Sequence, residues 1–212
     1  VTQWFNKKRL LEMIHDFLVF DAGVKKVCRP NQYFAVKAAQ PRCKKKEGGV
    51  IWEAQGSGKS LIMVWLAEWI HENIDNSRVV IITDREELDE QISDGFKDTG
   101  ETIARAKSGA GLIGMLNEEA PWLLCTLIHK FGKKNVEGKG DMVGVKSEIP
   151  LEKYLEDIVA QLPQGFKAKG NIFVFIDECH RTQGGYLHEA MKTIMGKDVM
   201  MIGFTGTPLL HT

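Results

Sequence analysis

Residues Glu53–Ser60 read EAQGSGKS, and those from Gly56 to Ser60 are the types that hold a polyphosphate. Binding a triphosphate takes backbone N–H donors close to the anion, a cation, and an oxygen ligand for a metal. Gly56 and Gly58 let the chain curl until successive amides converge, and neither has a Cβ to block the approach. Lys59 supplies the cation, and the Ser60 hydroxyl suits Mg²⁺. Gln55 and Ser57 complete the turn. The loop follows an apolar run, GVIWE, and opens a long apolar helix, Ser60–Ile74, whose N-terminus is positive. Glu53 stands where such a loop has its first Gly. That position ends the strand and does not build the anion nest, so the side chain is expected to point away from phosphate or pair with a cation.

A second group lies far along the chain. FVFIDECH (173–180) delivers Asp177 and Glu178 at the end of another apolar run. In an open parallel sheet, ligands bind outside the carboxyl ends of the strands. An acid there can hold Mg²⁺ through its water shell, and its neighbour can take a proton from an attacking water. A DE pair alone is commonly just solvated. Delivered to the same sheet edge as a phosphate loop, it points to nucleotide hydrolysis. His180, two residues on, is either structural or placed to sense the terminal phosphate. FTGTP (204–208) ends a further run, with Thr205, Gly206 and Thr207 in a tight polar turn. Read alone it is an ordinary strand end; beside the other two groups it is a third part of one site.

The elements that must position these groups are legible from apolar runs. GVIWE (49–53), VVIITD (79–84), WLLCTLI (122–128), IFVFID (172–177) and VMMIGFT (199–205) are continuous rather than alternating, as strands buried on both faces are. Helical patterns fall between them, at Ser60–Ile74, Arg85–Phe96 and Leu151–Leu162. The expected fold is α/β, a doubly wound and mainly parallel sheet. Residues 1–46 read as a helical lead-in and 47–212 as the sheet domain. Residues 133–170 form an insertion there, whose Lys133–Ile149 part is polar, Gly-rich and without period.

Composition bounds the rest. The 212 residues suffice for a real core, and 28 basic against 28 acidic residues leave no net charge to argue for or against nucleic acid. A basic stretch runs from Lys25 to Lys46 without an acid; it is a solvated face or a track for phosphates. Cys28, Cys43, Cys125 and Cys179 lack CxxC or metal-ligand spacing and read as small buried residues of a reducing cytoplasm. No apolar run approaches the roughly 20 residues that span a bilayer. The first residue is Val rather than Met, so a longer parent protein is expected.

The ordered series NQYFAV, QGSGKS, IITDREELDEQ, TLIHKF, DECHR and FTGTPL resembles the first RecA-like motor domain of superfamily-two helicases and translocases. More narrowly, the wording FNKKRLLEMIHDFLVF, RPNQYFAVKAA, IWEAQGSGKSLIMVWLA, VVIITDREELDEQI, IDECHRTQGG and GFTGTPLL is similar to the restriction (motor) subunit of type I restriction–modification enzymes. The resemblance covers the chain except Lys133–Gly170. It implies ATP and Mg²⁺ as cofactors, with Gln32 reading the adenine edge and Gln55–Ser60 cradling the phosphates. Asp177 would hold the metal together with Ser60, and Glu178 would activate water. His180, Thr205, Gly206 and Thr207 would couple nucleotide state to movement. Asp84, Arg85 and Thr126 would touch the DNA backbone, contacts that carry no sequence information.

That resemblance implies an ATP-driven translocase on double-stranded DNA, working with methylase and specificity subunits. A second motor domain and a nuclease domain would lie in the same full-length chain, outside these residues. Without the arginine finger of the second domain, worth 10³-fold or more in rate, weak ATP binding and poor hydrolysis are expected of residues 1–212 alone. Two alternatives share the loop. Another superfamily-two helicase or remodeller would keep all the nucleotide chemistry. A small-molecule kinase or GTPase-like switch would show an acceptor pocket or an N-K-x-D signature, and the latter is not found. Glu53 and Cys179, the latter at the variable third position of the acidic tetrad, are departures from the family pattern.

Overall fold

The structure is a computed structural model and describes residues 6–21, 23–83, 103–106, 108–127, 151–179 and 184–207. The chain opens with α1 (Lys7–Asp16), whose N-terminus is capped by the Asn6 side chain accepting from the Lys8 N–H. A hairpin of β1 (Leu18–Asp21) and β2 (Val24–Val27) follows, then α2 (Pro30–Lys45). The remaining elements are β3 (Gly49–Trp52), α3 (Lys59–Asn73), β4 (Ser77–Thr83), β5 (Ala104–Ala106), α4 (Gly109–Asn117), β6 (Leu123–Leu127), α5 (Leu151–Gln161), β7 (Asn171–Asp177), α6 (Gly184–Met195) and β8 (Met200–Thr205).

Six strands form one sheet in the order β3-β8-β7-β4-β6-β5, and every pair in it is parallel. Each apolar run singled out in the sequence is one of these strands, within two residues. Two layers of helix cover the sheet, because both strand faces are apolar and each must be removed from water. On one face α2 and α3 pack over Val79, Ile81, Phe173, Phe175, Ile202 and Phe204. On the other, α4, α5 and α6 cover Val80, Ile82, Leu124, Val174 and Ile176. α3 is buried from Ile62 through Ala67, as its lack of a polar stripe requires.

Two expectations change. The lead-in is not helical throughout: Leu18–Asp21 pairs antiparallel with Val24–Val27 across a turn at Gly23, φ 76°. Phe17 and Val19 are buried while Phe20 is exposed, the two-residue period of a strand. β5 and α4 were not legible; GAGLIGMLN carries three glycines, yet Ser108 caps it by accepting from the Gly111 N–H at 3.0 Å and its leucines reach the core. α5, inside the stretch read as an insertion, is a crossover helix whose Ile158 is in the core. The expected helix Arg85–Phe96 and the polar segment Lys133–Ile149 lie outside the described residues. Among the described residues, no helix is long and apolar enough to cross a membrane.

Candidate functional site

Because the six strands are parallel, their carboxyl ends share one rim. Trp52 lies opposite Thr205, Phe204 opposite Asp177, and Ile82 opposite Ile176. β3, which feeds the phosphate loop, is two strand spacings from β7, which ends in the carboxylates. That is about 10 Å between strand axes. β8 lies between them, so Thr205–Thr207 separates the loop from the acids. Three segments distant in sequence converge through strand order alone.

The loop is held in the shape its composition allows. Gly56 and Gly58 have φ of 77° and 87°. Gly58 is the N-cap of α3, and no side chain caps that helix, which leaves its positive end facing the loop. A Cβ on Gly58 would overlap the Gln32 amide nitrogen, so glycine is required twice, for conformation and for space. The Lys59 ammonium donates to the Glu53 carbonyl at 3.4 Å and lies 3.5 Å from where a Cβ on Gly206 would stand. Gln55 contributes a backbone nitrogen at 3.4 Å from that same point. Ser57 Oγ is buried with no hydrogen-bond partner among the described residues. A buried hydroxyl without a partner, an uncapped helix end and a lysine at one turn are what an anion would complete. Ser60 stands in the first turn of α3. These features fit a nucleotide's phosphates.

The acids are placed by a second set of contacts. Asp177 is buried at the end of β7, and the Thr83 hydroxyl at the end of β4 approaches its Oδ2 at 3.4 Å. Glu178 follows in the left-handed region, φ 48°, an uncommon conformation for a glutamate that turns the chain at the rim. Cys179 then folds back over β8: a Cβ on Gly203 would lie 2.5 Å from its Sγ, so only glycine leaves room there. Burial, and then the Glu178 and Asp177 carboxylates, push the Cys179 thiol up, so it stays protonated and unreactive beside the acids. On β8 the Thr207 N–H donates to Thr205 Oγ1 at 3.1 Å, and the Thr205 carbonyl accepts from the Glu53 N–H at 3.1 Å. The Thr205–Thr207 turn is thereby bonded to the phosphate loop.

Some sequence-predicted residues stand differently. Gln32 is 2% exposed and its amide is committed to the chain: Nε2 donates to the Ser57 carbonyl at 2.9 Å and the Gly58 carbonyl at 3.3 Å, while Oε1 accepts from the Arg29 N–H at 2.8 Å. In this conformation Gln32 braces the phosphate loop. Thr126 is 1% exposed within β6, between β4 and β5. Among the described residues Glu53 forms no ion pair; its carboxylate accepts from the Asn31 amide at 2.9 Å. Asp84, Arg85 and His180 lie outside the described residues.

Three residues escaped the sequence reading. Thr83, next to the quoted Asp84, carries a hydroxyl at the end of an apolar strand, a signal that could have been followed. Trp52 donates its indole N–H to the Gly206 carbonyl at 3.2 Å, which nothing in the sequence foretells. Arg78, the lone charge in the run SRVVIIT, is 1% exposed at the opposite end of the sheet. It donates to the carbonyls of Met115, Leu116, Glu118, Pro121 and Lys169, collecting the C-terminal end of α4 and the lead-ins to β6 and β7.

Residues 31–212 match the family model described as SWI2/SNF2 ATPase. The chain belongs to the SWI2/SNF2 ATPase family. ATP is therefore the nucleotide for which this domain is built. The putative type I restriction enzyme MjaIXP endonuclease subunit of Methanocaldococcus jannaschii is 27% identical over 97% of this chain and 18% of its own length. A type I restriction enzyme endonuclease subunit of Staphylococcus aureus is 28% identical over 94% of this chain and 20% of its own length. The chain thus spans about one fifth of these relatives. Among solved structures, the Sulfolobus solfataricus SWI2/SNF2 ATPase core in complex with double-stranded DNA superposes with a TM-score of 0.55 at 12% identity, over 93% of this chain and 34% of that one. At that identity the likeness speaks to the fold, a RecA-like sheet with flanking helices.

Proposed function

We propose that this ATPase domain is the first motor domain of a type I restriction enzyme's endonuclease subunit, and that it couples ATP hydrolysis to translocation along double-stranded DNA. The observation that carries the reading is the common rim: a phosphate loop, an acidic pair and a Thr-Gly-Thr turn on three adjacent strands, the turn bonded to the loop. The names of the relatives, and the double-stranded DNA bound by the Sulfolobus core, support the macromolecular part.

The residues divide the work by their chemistry. Loop amides from Gln55 to Ser60 and the Lys59 ammonium hold the β- and γ-phosphates. Ser60 and Asp177 would hold Mg²⁺, the former directly and the latter through its water shell. The ion, when bound, neutralises charge developing on the phosphates. Glu178 orients the attacking water and accepts its proton. Thr205–Thr207, beside Lys59, feels the presence or loss of the terminal phosphate, with His180 as a further sensor. Gln32, already bonded to the loop, links adenine recognition to loop shape. Arg85 contacts the DNA backbone. Methylase and specificity subunits, a second motor domain and a nuclease domain complete the cytoplasmic assembly, and residues 1–212 alone hydrolyse ATP weakly.

The test uses the full-length protein with its partner subunits. Lys59→Ala is expected to abolish ATP binding. Glu178→Gln is expected to retain binding while lowering DNA-stimulated hydrolysis by at least about 100-fold. Displacement of a triplex-forming strand downstream of the recognition site reads translocation, and should vanish in both. ATPase activity indifferent to duplex DNA, or strand displacement persisting in Glu178→Gln, would refute the reading.

A further inference from the structure

Glu53 puts a carboxylate at the entrance of a loop built to hold anions, and α2 restrains it. Along β3, Val50 and Trp52 are exposed while Ile51 packs against the core cluster that α2 and α3 share. Glu53 continues that alternation on the side of Ile51, so its side chain leaves toward α2. There its Oε2 accepts from the Asn31 amide at 2.9 Å. Asn31 stands in the first turn of α2, which has no acid of its own. The positive end of a helix favours a carboxylate, and Glu53 takes the place such an acid would have. The helix end favours the charge without aiming it; the hydrogen bond from Asn31 aims it.

The same glutamate reaches the phosphate-binding cation through its backbone. Its carbonyl accepts from the Lys59 ammonium at 3.4 Å, and its N–H donates to the Thr205 carbonyl at 3.1 Å. A short, flexible side chain joins the carbonyl end of a glutamate to its carboxylate, so the carboxylate has Lys59 within reach. In the structure it stays with Asn31 instead. The first turn of α2 therefore grips the loop at both ends. Asn31 holds the residue that leads into it, and Gln32 donates to the Ser57 and Gly58 carbonyls where it closes. Gln32 acts on the loop's shape and Asn31 on its charge.

We propose that Asn31 is a positioning residue of the ATP site. Its amide keeps the Glu53 carboxylate on α2. Without that amide the carboxylate turns to Lys59, competes with the phosphates for the ammonium and repels them. Once ATP holds Lys59 the competition is over, so the penalty falls on binding and not on the hydrolytic step. The inference rests on the reading of this loop as the ATP site.

A fluorescent ATP analogue titrated into the full-length protein tests it, with Lys59→Ala as the reference for the loop itself. Asn31→Ala should weaken binding about tenfold, while kcat at saturating ATP changes less than about threefold. In a Glu53→Gln background the same substitution should cost less than about twofold, since no charge is left to release. Asn31→Asp, which puts a like charge in place of the donor, should weaken binding more than Asn31→Ala does. Combined with Glu53→Gln it exchanges donor and acceptor across the contact, and affinity should return to within about threefold of the unmodified protein. Asn31→Asp preserves the side chain's size, so the cycle still decides should Asn31→Ala fail to fold. A loss of affinity that is the same with and without Glu53→Gln overturns the proposal. So does a loss confined to kcat, or affinity unchanged by either substitution of Asn31. Binding that survives Lys59→Ala overturns the reading of the loop, and this proposal with it.

Discussion

Replacing Gly58 by alanine probes the contact between the loop and the helix beneath it. The residue has φ 87°, a region that costs an alanine about 1–2 kcal/mol. The added methyl would also occupy the place of the Gln32 amide nitrogen. Moving that amide gives up its bonds to Ser57, Gly58 and Arg29, at about 1 kcal/mol each with partial recovery from solvent. Together the cost is about 3–4 kcal/mol. If ATP binds only the observed loop shape, the cost appears as lost affinity, about 100- to 1000-fold. A fluorescent ATP analogue titrated into the full-length protein measures it. The decisive step is the double-mutant cycle with Gln32→Ala, which removes the obstructing side chain. Gln32→Ala alone should weaken binding about tenfold, and the double variant should be no weaker than Gly58→Ala. This is a coupling of at least about 1.4 kcal/mol. Additivity within about 0.5 kcal/mol would refute the reasoning, since Gln32 could not then be what the methyl strikes.

Two further outcomes follow from groups away from the loop. Arg78→Met takes a donor from five carbonyls, of which Leu116 and Met115 keep the Lys169 and Glu118 N–H groups, so the denaturation midpoint should fall by the equivalent of about 3 kcal/mol, with an unchanged m-value. Burial pushes the Cys28 and Cys43 thiols up to about 11 and about 12 from 9.0. The folded protein then holds protons that the unfolded chain releases above pH 9. Stability should decline between pH 9 and about 11–12, at up to about 1.4 kcal/mol per pH unit for each thiol. Chemical denaturation across that range, compared with Cys28→Ala and Cys43→Ala variants, measures the slope.

How much was legible depended on the range of the forces involved. The strands around GVIWE, VVIIT, LLCTL, IFVFID and MMIGFT announced themselves, because burial on both faces demands continuous apolar residues. The α4 helix did not, because its glycines argue against helix while packing and a serine cap argue for it, and packing won. Leu18–Asp21 was misread because a four-residue apolar run after a helix carries no period of its own; the turn at Gly23 decided its pairing.

The sequence by itself determined the chemistry of the site: amide-rich loop, lysine, carboxylate pair and hydroxyl turn are properties of residue types at short spacing. Tertiary structure decided how they meet. Strand order set the Thr-Gly-Thr turn between loop and acids. Close packing turned Gln32 into a brace and revealed Thr83, Trp52 and Arg78 as working parts. None of these is a local matter, since hydrogen bonds such as Gln32 to Ser57 or Trp52 to Gly206 join residues 25 and 154 positions apart. Only the sheet's register brings such partners within reach.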